Sequence, residues 1–556
     1  MAKVVARWRF LWYAEEKGGI FVRRIRWIAL VLALAILFTA CSGLSFEELM
    51  TQLGTQAITP FYEMQYARPD MEKMESALED CCTAAETEKN KDALMEKVWG
   101  FYNLYNTFYT QYNLASIYYF RDMTDVSWEE EYSYCSQNAG SAEAMLEEMF
   151  YALAACPLKD KLEADPAFDE GFFDAYTGQS VWDENFLKLM ERESALEEQY
   201  YDLCTQAQAV EYYSDEYFTQ YGVQMGEVFV DLVALRQDIA AYAGYEDYPS
   251  FAYDFYHYRD YTPEQAESYL QEICTELVSL YRQVESNGGA SNADKLCTQS
   301  EAVDHGTSAT KAMGGIINEA FQLMLDKGLY DITYSDKKYD GSFEVYLTDY
   351  YAPFVFVNPA GTQQDKLTLI HEFGHFCNDY ASGGSIAGVD VAEVFSQGLE
   401  YLSLCYGDEA GALEEIKMVD CLRIFVEQAA YAMFEHQVYD LEGEELTAEN
   451  VYELYEQIGT QFGFDSWSWD SRDFVAIGHF YTDPMYIISY VVSNDAALQL
   501  YQMEQEETGT GLAKYQKELD TEQTYFLAFL QEAGLESPFA PGRVREIRNT
   551  LATVLN

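Results

Sequence analysis

"KLTLIHEFGHFCNDY" runs from Lys366 to Tyr380. Its apolar residues recur at three and four, the period of an amphipathic helix. On such a helix His371 and His375 lie one turn apart on one face, where both imidazoles can reach the same ion. Zinc binds neutral imidazole nitrogen well, and a catalytic zinc uses three protein ligands plus a water. Glu372 follows the first histidine and stands where it can take a proton from that water. Gly374 leaves room for close helix packing, at a cost of about 1 kcal/mol of helix propensity relative to alanine. Only six histidines occur in 556 residues. Two of them in an H-E-x-x-H frame point to a zinc-peptidase helix rather than to two ordinary histidines.

The third ligand must come from another segment. "GVDVAEVFSQGLEYLSL" (388–404) reads as a second helix after the Gly383-Gly384 and Gly388 breaks. Glu393 sits early in it among Val389, Val391, Val394 and Phe395. A carboxylate in such company is costly unless it binds something. Ligation offsets that cost, and the set His371, His375, Glu393 is then of the two-histidine, one-glutamate kind. Asp390 and Glu400 compete for the same role. Glu400 lies on the same helical face as Glu393, and can also hydrogen-bond a ligand imidazole from behind.

"FVAIGHFYTDPMYIISYVVSNDAAL" (474–498) carries His479, then Tyr486 and Tyr490 on a helix expected to open near Pro484. Phenol hydroxyls suit the oxyanion of a tetrahedral intermediate. Packing is the commoner use of such a pair in a chain with 47 tyrosines.

Composition bounds the rest. The 34 basic and 94 acidic residues give a net charge of −60. Nucleic acid is excluded as a partner, because phosphate binding needs a positive surface. Such a charge repels polyanions and favours cationic peptides, and its plainest use is a solvated surface. The 49% hydrophobic content supports a large core. Apart from Cys41, ten cysteines show no C-x-x-C pair and read as free thiols.

"RRIRWIALVLALAILFTACSG" (23–43) places three arginines before an apolar run that ends at Cys41. About 14 apolar residues are short of the roughly 20 needed to span a bilayer, and suit the core of a signal peptide. The run resembles a bacterial lipobox in which Cys41 receives the lipid. The rival is an uncleaved signal anchor. Both imply an extracytoplasmic body tethered to the membrane.

Beyond residue 44 the periodicity is mostly helical, as in "NKDALMEKVWGFYNLYNTFYTQYNLASIYY". Strand patterns appear at "SFEVYLT" (342–348) and "PFVFVN" (353–358). The expectation is a mainly α protein with a small sheet beside the histidine helix. It divides into an N-terminal segment 1–41, a helical region 42–240 and a catalytic region 241–556.

Five stretches in order resemble the oligopeptidase family that includes thimet oligopeptidase and oligoendopeptidase F. They are "AGYEDYPSFAYDFYHYRDYTPEQAESYL" (243–270), the segment 335–375, "DVAEVFSQGLEYL" (390–402), "IGHFYTDPMYIISY" (477–490) and "GLESPFAPGRVREI" (534–547). The resemblance implies a large helical metallopeptidase fold with a deep central channel, one zinc at its floor, Glu393 as third ligand, and short peptides as substrates. It also implies that the strand 353–358 offers backbone groups to an extended peptide, and that Lys337, Lys338 and Gly341 lie in a substrate-contacting loop. Gly478 departs from the proline common before the histidine, and the gap from His375 to Glu393 is short. The expected chemistry is hydrolysis of internal peptide bonds, with Glu372 as general base and His479, Tyr486 and Tyr490 around the oxyanion. A dipeptidyl carboxypeptidase and a non-catalytic, lipid-anchored peptide-binding protein are the alternatives.

Overall fold

The computed structural model describes residues 58–555, apart from 166, 169–170, 177–179, 291, 385–386, 465–468 and 522. The arginine-led apolar run and Cys41 lie outside the described residues. Among the described residues no helix is long and apolar enough to cross a membrane.

Helices begin where the sequence supplies side-chain caps. The first four long helices are α1 (Met71–Thr87), α2 (Lys91–Arg121), α3 (Val126–Ala155) and α4 (Glu184–Ala207). Asp70, Asn90, Asp125 and Asp183 precede them, and each accepts a first-turn backbone N–H. Three of these caps are aspartates, so part of the acidic excess meets the positive ends of helix dipoles. α5 (Val223–Ala243) ends on left-handed Gly244. α6 (Pro263–Ser286) opens with a Thr262–Gln265 capping box and a proline in its first turn.

α1, α2 and α3 enclose a core of their own, with Leu94, Phe101, Leu146 and Phe150 at its centre. α2 has 31 residues and so runs for about 46 Å. It leaves this small core and enters the main one through Leu114, Ile117 and Phe120.

The sheet has three strands in the order β1-β3-β2: β1 (Tyr330–Asp331), β2 (Ser342–Leu347) and β3 (Ala352–Val357). β3 pairs parallel with β1, Tyr330 opposite Val355. It pairs antiparallel with β2 along its whole length, from Ser342 opposite Val357 to Leu347 opposite Ala352. The two expected strands are present to within one residue, and β1 is an addition. β3 is central and wholly buried, which corrects the expectation that it offers its edge to a peptide. The edges belong to β1 and to β2, whose residues are half-buried except for buried Leu347.

Behind the sheet stand α7 (Gln364–Ser382) and α8 (Val389–Ser403), followed by α9 (Glu414–Arg423) and α10 (Ala429–Val438), which are joined by a π-helical turn. α11 (Ile488–Glu506) packs on the far side of α8, and α12 (Arg543–Val554) closes the chain. Tyr401 on α8 donates to Asn494 on α11 at 2.8 Å, and Gln397 donates to Ser493 at 2.9 Å. Arg543 of the closing stretch makes a buried pair with Asp495 of α11, its Nε 2.9 Å from Oδ1. The ten described cysteines are all unbridged, and six of them are buried.

Candidate metal centre

α7 carries the paired histidines and its start is fixed locally. The Asp365 carboxylate accepts the backbone N–H groups of Ala360, Gly361 and Thr362 at 2.7–3.1 Å. Leu367, Ile370, Phe373 and Phe376 bury its apolar face. Gly374 lies against α8. A Cβ there would stand 2.5 Å from Ser396 Cα and 2.6 Å from the Phe395 carbonyl oxygen. Only glycine allows this approach, and the approach brings Glu393 over the two imidazoles.

His371, His375 and Glu393 converge so that one ligand atom from each lies within 4.8 Å of the others. His371 Nε2 is 3.4 Å from Glu393 Oε2, and His375 Nε2 is 3.7 Å from Oε1. Two neutral-capable imidazoles and one carboxylate suit zinc, and the spacing leaves room for an ion among them. Among the described residues this is the cluster of histidine, cysteine and acidic groups able to hold a metal. Asp390, the sequence's other candidate, is turned away. It accepts from Tyr261 at 2.9 Å, from Ser489 at 2.5 Å and from Arg259.

The ligand atoms are oriented from behind. His371 Nδ1–H donates to Glu400 Oε1 at 2.8 Å, which leaves Nε2 free to face Glu393. Glu400 Oε2 is held at 2.9 Å by Lys417, a fully buried lysine from α9. Burial works against a charged His371 ring, but Glu393 and Glu400 outweigh it and push the group up to about 9. The two carboxylates that flank His371 thus favour positive charge at this point. His375 has no such backing, and burial pushes it down to about 4.

Glu372 is 4% exposed and lines the cavity above the histidines. Burial pushes its carboxyl up to about 7, against the pull of His371 and of a hydrogen bond from Ser342. The cavity encloses about 470 Å³ and is also lined by Ser342, Phe343, Glu344, His479, Tyr486 and Tyr490.

His479 sits on a single helical turn, His479–Thr482. Its Nε2 is 3.0 Å from the Tyr490 hydroxyl, while Tyr486 donates to Glu393 Oε1 at 2.7 Å. The following helix starts at Ile488, not near Pro484 as the sequence suggests, because Met485 adopts a left-handed backbone at φ 65°. Tyr486 thus faces the cavity from a turn, and only Tyr490 from the helix.

This turn is gripped by residues that sequence reasoning did not single out. Arg259 donates to the Met485 carbonyl at 2.8 Å, and Glu435 accepts the Met485 N–H at 2.7 Å. His257 Nε2–H donates to the Pro484 carbonyl at 2.9 Å. Arg236, wholly buried, donates to the Phe480 carbonyl at 2.8 Å. His257 and Arg259 lie within the 243–270 stretch quoted above, so a signal was present; Arg236 and Glu435 gave none.

Lys338 corrects an expectation. It is buried and donates to Asp331 and to the carbonyls of Asp331, Thr333 and Val357 at 2.6–3.1 Å, so its ammonium fastens its own loop instead of being offered to substrate. Lys337 reaches Asp122 on the surface. Gly341 packs under the Tyr339 ring, where a Cβ would come within 2.5 Å.

Residues 61–175 match the Peptidase M3 N-terminal domain family. No curated protein matches the chain by sequence. Its fold is shared by solved structures. An oligoendopeptidase-F from Enterococcus faecium is 15% identical with a TM-score of 0.58, covering 88% of this chain and 98% of its own. A structure named PZ peptidase A, determined with an inhibitor, is 18% identical with a TM-score of 0.77, covering 89% of this chain and 99% of its own. A further structure, assigned as an oligoendopeptidase F, is 20% identical with a TM-score of 0.77 and covers 89% and 98%.

Proposed function

We propose that the chain is a zinc-dependent oligopeptidase that hydrolyses internal bonds of short peptides. The observation that carries this reading is the meeting of His371, His375 and Glu393 beside Glu372 in one cavity. The match to the Peptidase M3 N-terminal domain and the shared fold support it.

His371, His375 and Glu393 would hold the zinc, which supplies Lewis-acid polarisation of the scissile carbonyl and acidifies water. Glu400 and Lys417 keep the His371 Nε2 lone pair directed at it. Glu372 takes the proton of the attacking water as the new C–O bond forms. It then passes that proton to the amide nitrogen as the C–N bond breaks. Tyr490, held by His479, and Tyr486 supply O–H donors for the oxyanion. β2, an edge strand whose Ser342, Phe343 and Glu344 line the cavity, would receive an extended peptide laid antiparallel beside it. On the sequence of residues 23–41 we further propose a membrane tether, which mass spectrometry of the mature N-terminus tests.

Glu372→Gln is the direct test. Zinc content stays at the wild-type level, while turnover of quenched fluorescent peptides falls by about 10²–10⁴-fold. Wild-type turnover in this variant contradicts the base assignment. Product mapping that finds only successive C-terminal dipeptides contradicts internal cleavage.

A further inference from the structure

A second cavity of about 380 Å³ adjoins the first. Tyr201 and Tyr339 line both, so the two share a wall. Gly478, the residue before His479, also borders it. A Cβ there would stand 3.7 Å from the Tyr339 hydroxyl and 4.0 Å from that of Tyr200, inside the space the glycine leaves open. The two cavities meet at Tyr201 and Tyr339, so a peptide that passes these rings from the metal cavity would reach this pocket.

Its chemistry is specific. Aromatic rings of Tyr200, Tyr212, Tyr217 and Tyr334 line it, together with the carboxylates of Asp336 and Asp340. Tyr334 and Tyr212 are 68% and 54% exposed, far more than large rings need to be on a chain with such an ample core. Asp340 is close enough to Tyr212 to help raise that phenol, after burial and the Tyr213 and Tyr217 hydroxyls. Asp336 and Asp340 stand at the exposed rim of the pocket, and among the described residues no ion pair engages either. Among the described residues Lys338 is the one cation lining the pocket, and its ammonium is used up within its own loop.

The loop that carries both aspartates is built to stay in place. Ser335 exchanges two hydrogen bonds with the Asn358 side chain at 3.1–3.2 Å, and Tyr339 N–H donates to the Phe120 carbonyl at 2.8 Å. Lys338 fastens the loop from below. Aromatic faces with unpaired carboxylates beside them form a site for a cation, and a planar guanidinium both stacks on the rings and forks to a carboxylate.

We propose that this pocket is a subsite for a cationic side chain of the bound peptide, arginine before lysine, and that Asp340 and Asp336 set the preference. The inference rests on the oligopeptidase reading for its substrate, but its test separates the two.

Peptides carrying arginine at successive positions are compared with the same peptides carrying citrulline, the uncharged isostere. Affinity is measured by calorimetry on Glu372→Gln, and kcat/KM on the wild type. Arginine at one position only is expected to bind and react on the order of tenfold better than citrulline. The Asp336→Asn, Asp340→Asn double variant loses that advantage while its turnover of citrulline peptides is unchanged. Equal binding of arginine and citrulline at every position overturns the subsite, even if all are cleaved. Binding that prefers arginine and depends on the two aspartates, with no cleavage of any peptide, upholds the subsite and overturns the peptidase reading instead.

Discussion

Gly374 and Glu400 separate two ways in which single residues build the centre. At Gly374 the neighbours of an added methyl are backbone atoms of Ser396 and Phe395, which cannot rotate aside. Gly374→Ala gains about 1 kcal/mol of helix propensity but overpacks the contact, at a typical cost of 1–3 kcal/mol. We expect a lower melting temperature together with reduced zinc content, because α7 and α8 move apart and Glu393 moves with them. Unchanged values of both contradict the close approach. Glu400 acts through His371, behind the candidate ligand atoms. Glu400→Gln keeps the shape but loses the charge that fixes the His371 tautomer and pairs with Lys417. Zinc affinity, read by competition with a chelator, is expected to fall by about 10–100-fold. At this scale the sequence was readable because the motif is local. His371, Glu372 and His375 share one helix turn, Glu393 stood out as a charge in an apolar run, and Glu400 followed from helical spacing. Lys417 was not readable, and although Arg259 lies in a stretch the sequence marked, its partner was not: Arg259 meets Met485 across 226 residues of chain, and no spacing rule reaches so far.

The turn that presents His479 and Tyr486 depends on residues far from it in sequence, between Arg236 and Arg259 and at Glu435. Met485 holds φ 65° there, a conformation that costs a non-glycine residue of order 1–3 kcal/mol and persists only when neighbours dictate it. Glu435, from α10, and Arg259 dictate it by gripping the two backbone groups of this residue. Burial pushes the Glu435 carboxyl from 4.5 up to about 8, against the Met485 N–H and the two arginines. The folded protein therefore keeps a proton on Glu435 that the unfolded chain releases. Stability from this group falls as pH climbs from about 4.5 to about 8 and is level above that. Glu435→Gln removes the titration while leaving an acceptor for Met485. The stability difference between variant and wild type, followed by denaturant melts, is expected to shift in favour of the variant across that window and then stay constant. A difference that does not vary with pH refutes it. Strand and helix periodicity were legible to within a residue for β2, β3 and α8. The order of the strands was not, because β1 is only two residues long and gives no pattern, yet its pairing is what makes β3 central.

For the whole molecule the dominant number is the net charge of −60. Self-repulsion of that size opposes compactness and is relieved by salt, since the screening length drops from about 30 Å at 0.01 M to about 8 Å at 0.15 M. Raising sodium chloride across that range is expected to lift the melting temperature by on the order of a few degrees, and to weaken arginine-peptide binding in the same titration. A flat melting curve would show that the caps and ion pairs already balance the acidic surface. The mainly α architecture was legible because helical periodicity covers most of the chain. The separate core around α1–α3 was not, because α2 shows one unbroken pattern although it serves two cores.

The ten unbridged thiols carry an experimental consequence. Dithiothreitol has no covalent staple to cut among the described residues, so a reductant leaves the scaffold as it was. The same compound sequesters zinc through its paired sulfurs. On the proposed zinc reading, inactivation by dithiothreitol that a monothiol fails to reproduce, and that added zinc reverses, would titrate how firmly two imidazoles and a glutamate hold the ion.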